Sequence, residues 1–345
     1  MSEPSVIARK QVRAGRLTLN RPKALHALNS DMVSQLMDAL LAWRDDPEVE
    51  LVVLDHAEGT RGFCAGGDVR MLATSGAGDG REARAFFAAE YRLNVLIKEY
   101  PKPYVTIMDG MTMGGGVGIS VHGTHRVATP NTVFAMPESG IGLFPDVGGG
   151  WFLPRLEGAT GMWLALTGAR LKAEDVLAVG VATHFTEDAS GLADTLCIEG
   201  TAGLTGLKTD AAASFSTHQG EIDTCFGKAS VEEIVSCLDA GSEWAQKQAQ
   251  ALATKSPLTM KVAHRQLREG GAMENFRDNM RMEYRIGARI VRTENFLEGV
   301  RAVLIDRDNQ PIWKPENLAA VTPSLVDTFF APLGAEELEF IGDVT

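Results

Sequence analysis

Two short glycine-rich segments, each downstream of an apolar stretch that reads as a β-strand, constrain this chain more than any other feature. The Ala-Gly-Gly run at 65–67 follows the strand candidate 50–55, and three glycines at 114–116 follow the strand candidate 104–108. Glycine has no Cβ, so a ligand can closely approach the backbone N–H groups there. One N–H from each segment suits a carbonyl oxygen that becomes negative during a reaction, as in an oxyanion hole. Ordinary tight turns are the alternative for either segment.

Strand-length apolar stretches alternate with helix-length amphipathic stretches along the chain. Residues 28–40 carry apolar side chains at helical spacing, with Asn29, Ser30 and Asp31 as cap candidates, and residues 81–100 form a second amphipathic helix candidate. This alternation predicts an α/β layer architecture. From 186 to 229 the composition shifts to Gly, Ser, Thr, Ala and Asp, which predicts a loose connector, and beyond Val231 the pattern is helical.

The charge and the cysteines limit the partners and the compartment. With 33 basic and 45 acidic residues the formal net charge is -12, so no nucleic-acid partner is expected. The N-terminal stretch lacks the apolar core of a secretory signal, and no apolar run approaches the ~20 residues of a membrane span, so no membrane association is expected. The four cysteines are widely spaced without a C-x-x-C pair, which favours a reducing compartment. We therefore expect a cytoplasmic location.

Several motifs of other enzyme classes are missing. A dinucleotide fingerprint starting at Gly114 would need glycine where Ile119 stands, and no P-loop pattern occurs. The nearest approach to a serine-hydrolase elbow, at 118–122, ends in His122 instead of glycine. His122 and His125 have no third ligand nearby, so no metal site is predicted. These absences disfavour nicotinamide, nucleoside-triphosphate and serine-hydrolase chemistry.

The stretch 134–150 carries two carboxylates, Glu138 and Asp146, in apolar surroundings shaped by glycine and proline. Burial disfavours the charged form of a carboxylate, which can tune it for nucleophilic or acid–base work. The alternative is that both are ordinary loop residues or helix caps.

These motifs resemble the enoyl-CoA hydratase/isomerase (crotonase) superfamily and, within it, the 3-hydroxyisobutyryl-CoA hydrolase family. The resemblance runs nearly end to end. The sequence M-P-E followed by F-P-D-V-G-G-G is specific to the hydrolase subgroup, whereas the two glycine loops specify only the superfamily. The matching stretches are 19–25, 63–68 and 113–118 for the superfamily, and 134–155, 298–306 and 313–315 for the subgroup.

The resemblance implies a role for each site residue. The catalytic carboxylates would be Glu138 and Asp146, and the oxyanion hole would be formed by the N–H groups of Ala65 and Gly115. Glu90 would line the acyl pocket together with the two catalytic carboxylates. The substrate-binding residues would be Glu90, Gly66, Gly67, Asp68, Gly114 and Gly116. Coenzyme A would be bound by Lys23, Ala24, Leu25, Arg70 and Lys261. Coenzyme A would be part of the substrate, so no separate cofactor and no metal are expected.

The implied reaction is hydrolysis of a short, branched 3-hydroxyacyl-CoA to the free 3-hydroxy acid and coenzyme A, in valine breakdown. Glu138 would attack the carbonyl or act as a general base for water. Related hydratases use a second glutamate at the position of Gly118, so addition of water to a double bond is disfavoured. His26 stands where the family pattern has asparagine, which bears on the local turn. The alternatives are an isomerase or hydratase of the same superfamily and a catalytically silent acyl-CoA-binding protein.

The resemblance also implies an architecture. Residues 1–190 would form a crotonase-like core of repeated β-β-α units that carries the glycine loops and the Glu/Asp pair. Residues 191–230 would be a connector, and residues 231–345 a helical C-terminal region. Superfamily members often assemble as trimers or hexamers, so a homo-oligomer is compatible with the sequence.

Overall fold

The protein is described by a computed structural model that covers residues 4–343. Within that range it comprises two compact units, each assembled from three stretches of chain. The first unit contains the chain up to residue 68 with 92–135 and 170–214; the second contains 69–91 and 136–169 with the chain from 215 onward. The boundaries expected near 190 and 230 stay a prediction, and residues 1–3 and 344–345 of those segments lie outside the described residues.

The strands form two sheets, both in the first unit. One sheet has the order β1-β2-β3-β5-β7-β10 and the other has the order β4-β6-β8-β9. From β3 to β8, successive strands alternate between the sheets, so each repeat adds one strand to each sheet. The strands are β1 (Val6–Gln11), β2 (Ala14–Leu19), β3 (Leu51–His56), β4 (Gly62–Cys64), β5 (Tyr104–Met108), β6 (Met111–Met113), β7 (His125–Ala128), β8 (Val133–Ala135), β9 (Leu171–Lys172) and β10 (His184–Phe185).

Parallel pairing explains why the central strands are apolar on both faces. β3 pairs in parallel with β2 and β5, and its first five residues are all buried. Parallel strands are covered on both sides and therefore read as continuous apolar runs. The predicted strands at 50–55 and 104–108 are confirmed, the first displaced by one residue.

The helices confirm the predicted α/β class and the helical C-terminal region. Asn29 caps α1 by accepting from the Met32 N–H at 2.9 Å, and the predicted helix over 81–100 spans 81–98. The helices are α1 (Ser30–Arg44), α2 (Val69–Ala77), α3 (Arg81–Lys98), α4 (Gly115–Gly118), α5 (Gly149–Phe152), α6 (Thr160–Thr167), α7 (Glu174–Ala178), α8 (Leu192–Glu199), α9 (Gln219–Phe226), α10 (Val231–Asp239), α11 (Glu243–Ala253), α12 (Pro257–Ala272), α13 (Phe276–Ile290), α14 (Glu294–Val300) and α15 (Pro323–Phe330). In the described range, no helix has both the length and the apolar character needed to cross a membrane.

The segment expected to be a loose connector contains ordered structure. In the first unit, α8 packs Leu196 and Cys197 into the core with Val53 and Val105 of the six-stranded sheet. In the second unit, a disulfide between Cys225 and Cys237 joins α9 to α10. The Gly/Ser/Thr-rich composition misled the prediction because a few well-placed apolar residues are enough to dock a helix on a sheet.

We expect Gly116→Ala to destabilise the protein by about 1–3 kcal/mol, the usual cost of overpacking. A Cβ at Gly116 would lie 2.3 Å from the Cys64 carbonyl oxygen and 2.8 Å from its Cβ. Chemical denaturation measures the loss. The matched control is Gly220→Ala in α9, where an added Cβ meets nothing within 4 Å and helix propensity favours alanine. Equal stability of the two variants would contradict the close packing.

Candidate active site

The two glycine segments meet in the first unit. β4 pairs in parallel with β6, so the loops that follow them leave the same edge of the four-stranded sheet. A Cβ on Gly66 would lie 3.5 Å from the Met113 carbonyl oxygen and 4.0 Å from the Gly115 nitrogen. Gly66 also has a φ of 116°, which L side chains rarely adopt. The sequence-predicted loops are therefore brought into contact, with glycine required at the contact.

The backbone hydrogen bonds correct one of the two expected oxyanion donors. The Ala65 N–H donates to the Leu25 carbonyl oxygen at 3.0 Å, so it is not free to bind a ligand. Gly67 forms a parallel bridge with Leu28. The Leu28 N–H donates to the Gly66 carbonyl oxygen and the Asp68 N–H donates to the Leu28 carbonyl oxygen, so the N–H of Gly67 itself points away from Leu28. Within residues 4–343, neither the Gly67 N–H nor the Gly115 N–H has an acceptor. Gly67 thus replaces Ala65 beside Gly115.

The loop with Lys23, Ala24 and Leu25 is fastened to the first glycine segment. Lys23 lies exposed in a short 3-10 helix, Pro22–Ala24, and Leu25 follows in the left-handed region with a φ of 48°. The Arg21 guanidinium binds the Ala27 carbonyl oxygen at 2.8 Å and the Asp68 carboxylate at 3.3 Å. The structure therefore places Lys23, Ala24 and Leu25 in a loop that the Arg21 side chain connects to Asp68, the residue after the first glycine segment.

His26, the departure from the family pattern, is fully buried in this loop. Its Nδ1 accepts from the Arg21 N–H at 3.0 Å, and its Nε2 faces the Thr60 hydroxyl at 3.1 Å. Burial, followed by the charge of His56, lowers the pKa of His26 to about 4. A neutral imidazole thus braces the turn, a structural role that leaves the glycine segments untouched.

Three predicted carboxyl groups are buried together in the second unit. Glu90 lies on α3, Glu138 begins the 3-10 helix Glu138–Ile141, and Asp146 lies in the loop before α5; each is at most 5% exposed. The Tyr91 hydroxyl donates to Asp146 Oδ2 at 2.9 Å. Glu90 Oε1 and Glu138 Oε2 have no hydrogen-bond partner in the described part of the chain. Two buried carboxyl oxygens are therefore available for a ligand.

Burial raises the pKa of all three carboxyl groups, and the charge of Asp146 adds to the rise for Glu90 and Glu138. Burial raises the pKa of Asp146 to about 7, while the Tyr91 hydroxyl opposes this rise. Burial, and then the charge of Asp146, raises the pKa of Glu90 and of Glu138 well above the usual range. Burial therefore makes the charged form of all three carboxyl groups less favourable than at the surface.

Tyr91 and Glu283 were missed by the sequence reasoning. Glu283 on α13 is completely buried and accepts from the N–H groups of Gly148 and Gly150 at 2.7 and 2.8 Å. Burial raises the pKa of Glu283 to about 8, against the opposing effect of its hydrogen-bond donors. The signal available in the sequence was a polar pair four residues apart, Asn279 and Glu283, among apolar positions of one helix.

The two remaining basic residues are engaged within the second unit. The Lys261 ammonium pairs with Glu232 at 2.5 Å and donates to the Val321 carbonyl oxygen at 2.9 Å. The structure therefore argues against Lys261 as a phosphate ligand. Arg70 is exposed and donates one N–H to the Leu304 carbonyl oxygen, whereas its guanidinium carries five N–H donors. No group of three or more His, Cys, Asp or Glu residues between 4 and 343 is arranged to hold a metal ion.

Comparison with known proteins identifies the class. The sequence profile of the enoyl-CoA hydratase/isomerase family matches residues 14–330. A solved carnitinyl-CoA dehydratase from Mycobacterium thermoresistibile superimposes with a TM-score of 0.94 at 39% identity, over 99% of this chain and 100% of its own. A solved enoyl-CoA hydratase from Rhodobacter sphaeroides superimposes with a TM-score of 0.90 at 41% sequence identity, over 97% of this chain and 100% of its own. The chain belongs to the enoyl-CoA hydratase/isomerase family, and the predicted crotonase-like fold is confirmed.

Curated relatives place the chain more narrowly. The protein named 3-hydroxyisobutyryl-CoA hydrolase, mitochondrial, from Gallus gallus is 47% identical over 98% of this chain and 91% of its own length. The protein of the same name from Homo sapiens is 44% identical over 97% of this chain and 90% of its own length. The resemblance to the 3-hydroxyisobutyryl-CoA hydrolase family is therefore confirmed. The expected cytoplasmic location is wrong, because these relatives are mitochondrial proteins.

The raised pKa of Asp146 predicts how stability depends on pH. A carboxyl group whose pKa rises from 3.8 to about 7 on folding stabilises the protein fully below pH 4 and loses that contribution as the pH rises towards 7. Asp146→Asn cannot ionise, so its free energy of unfolding relative to wild type should increase between these limits, by at most about 1.4 kcal/mol per pH unit. Denaturant titrations from pH 4 to 8 measure the difference. The control is Asp278→Asn, an exposed position on α13, and parallel curves for both variants would contradict the assignment.

Proposed function

We propose that the protein hydrolyses the thioester of 3-hydroxyisobutyryl-CoA, releasing the 3-hydroxy acid and free coenzyme A. The observation that carries the proposal is the buried Glu138 and Asp146 pair. The charge of Asp146 raises the pKa of Glu138, and Glu138 Oε2 has no hydrogen-bond partner among the described residues. A carboxylate kept unpaired in a buried site costs stability and is characteristic of catalysis. The names of the relatives supply the acyl group.

The thioester carbonyl oxygen would accept hydrogen bonds from the N–H groups of Gly67 and Gly115. These donors lie in a backbone that is fixed before any ligand binds, because the two glycine segments are packed against each other. A preorganised donor of this kind typically contributes ~10²–10³ in rate. Lys23 and Arg70 remain as candidates for the phosphates of coenzyme A, since both are exposed.

Glu138 would act on the thioester, and Asp146 would orient the reacting groups. In one route an ionised Glu138 oxygen bonds to the thioester carbon, the C–S bond breaks, and the leaving thiolate takes a proton from solvent. Water then cleaves the resulting anhydride, which restores the Glu138 carboxylate and releases the acid and a proton. In the other route Glu138 takes a proton from water as the water attacks, and returns it to the leaving thiolate. Single-turnover hydrolysis in ¹⁸O-water separates them, since isotope in the Glu138 carboxylate excludes a purely general-base route. Asp146 would orient the water or the substrate 3-hydroxyl.

A hydratase or isomerase is the second candidate, and the names of the two structural neighbours favour it. Gly118 opposes it, because this position carries no carboxylate for the second half of a hydration. A silent acyl-CoA-binding protein is disfavoured because a pure binder gains nothing from buried carboxylates beside an anionic ligand. A thiol-reactive dye distinguishes the hydrolase from both alternatives, since only hydrolysis frees coenzyme A.

We expect Glu138→Gln to lower thiol release by ~10²–10⁴-fold, the range for loss of a positioned acid–base group. Glutamine keeps the size of the side chain, so folding and the binding of coenzyme A, measured by calorimetry, should be nearly unchanged. The matched control is Glu294→Gln, an exposed glutamate at the start of α14, which should retain wild-type turnover. Full activity of Glu138→Gln would refute the assignment.

A panel of acyl-CoA thioesters tests the acyl group and the proposed place in valine breakdown. 3-Hydroxyisobutyryl-CoA should exceed 3-hydroxypropionyl-CoA in kcat/KM by ~10–200-fold, because one methyl group in an apolar pocket supplies about that discrimination. Isobutyryl-CoA, which lacks the hydroxyl, is the control for recognition by Asp146. Preference for 3-hydroxypropionyl-CoA would keep the hydrolase activity and reject the valine assignment.

A further inference from the structure

The loop that carries Asp146 contains a strained residue. Val147 has a φ of 52°, a left-handed conformation that a β-branched residue rarely adopts, and its side chain is fully buried. Gly148 follows with a φ of 88°. Strain of this kind persists only where the surroundings hold the backbone, and it is concentrated at functional sites.

Glu283 supplies that restraint on the C-terminal side of Asp146. Its Oε2 accepts from the Gly148 N–H at 2.7 Å, and its Oε1 accepts from the Gly150 N–H at 2.8 Å. The Asn279 and Gln266 side-chain amides also donate to Oε1, at 2.9 and 3.1 Å. Four donors converge on one carboxyl group, and both of its oxygens serve as acceptors.

Gln266 restrains the N-terminal side of Asp146. Its Nε2 donates to the Pro145 carbonyl oxygen at 2.7 Å as well as to Glu283, so one amide group links both. The space around the loop is closed, because a Cβ on Gly150 would lie 2.7 Å from Asn279 Oδ1. Asp146 thus lies between two anchored peptide groups, the Pro145 carbonyl and the Gly148 N–H.

We propose that Glu283 is a positioning residue for Asp146, fixing the strained loop 145–150 so that the Asp146 carboxylate is aimed at the substrate. The inference rests on the proposed function, since Asp146 takes its role from that reaction. Glu283 itself touches backbone N–H groups and amides, and none of its oxygens is left for substrate.

Glu283→Gln tests the proposal, because the amide puts an N–H group against at least one of the converging donors. We expect kcat for 3-hydroxyisobutyryl-CoA to fall ~10–100-fold with KM within threefold of wild type. In the Asp146→Asn background the same substitution should lower kcat by less than threefold, because a residue that acts through Asp146 has nothing left to position. An equal loss in both backgrounds, or unchanged kcat in the single variant, would overturn the proposal.

A second variant and a hydrogen-exchange measurement separate a positioning role of Glu283 from a general loss of folding. Gln266→Leu has nearly the same volume and removes the donor to Pro145 and Glu283 together with an amide oxygen that has no partner in the described part of the chain. It should therefore lower kcat in the same sense if Glu283→Gln does not fold. Hydrogen exchange of the amides in 146–150 should accelerate in Glu283→Gln and stay unchanged in Asp278→Asn, on the exposed part of the same helix. Exchange does not depend on turnover. A wild-type protein that releases no coenzyme A would refute the proposed function, whereas an unaltered exchange rate would refute the role of Glu283.

Discussion

The burial of carboxyl groups in the second unit is the constraint on which the candidate chemistry depends. Glu90, Glu138, Asp146 and Glu283 are all at most 5% exposed, and burial raises the pKa of each. Two of them have hydrogen-bond donors: Asp146 accepts from Tyr91, and Glu283 accepts from four donors. Glu90 and Glu138 each keep one oxygen without a partner among residues 4–343, an unfavourable arrangement of the kind found at functional sites.

In the first unit, the relevant groups are backbone N–H donors of the two glycine segments. Parallel pairing brings the ends of β4 and β6 to one edge, and glycine at 66 and 116 lets the following loops touch. Close packing then uses up the Ala65 N–H in a bond to Leu25 and leaves the Gly67 N–H free. The expected donor Ala65 and the available donor Gly67 are two residues apart, and the pairing of this loop with residues 25–28 decides between them.

Local patterns predicted what depends on local energetics. The strand at 104–108, the Asn29 cap and the helix from 81 follow from apolar spacing and side-chain hydrogen bonding within a few residues. The order of α8 and the disulfide were not predictable in this way, because Leu196 and Cys197 gain their energy from a sheet distant in sequence. The role of Glu283 was not predictable for the same reason, since Glu283 lies 135 residues from Gly148, from whose N–H it accepts a hydrogen bond.

The sequence by itself determined the α/β class, the family resemblance, and the candidacy of Glu138, Asp146 and the two glycine segments, because these depend on residue type and local spacing. Only the tertiary structure decided which groups are satisfied: it engaged Ala65 and Lys261, freed Gly67, and gathered Tyr91 and Glu283 around the Asp146 loop. The physical reason is that hydrogen-bond satisfaction and desolvation are properties of three-dimensional neighbourhoods, which a linear pattern does not contain.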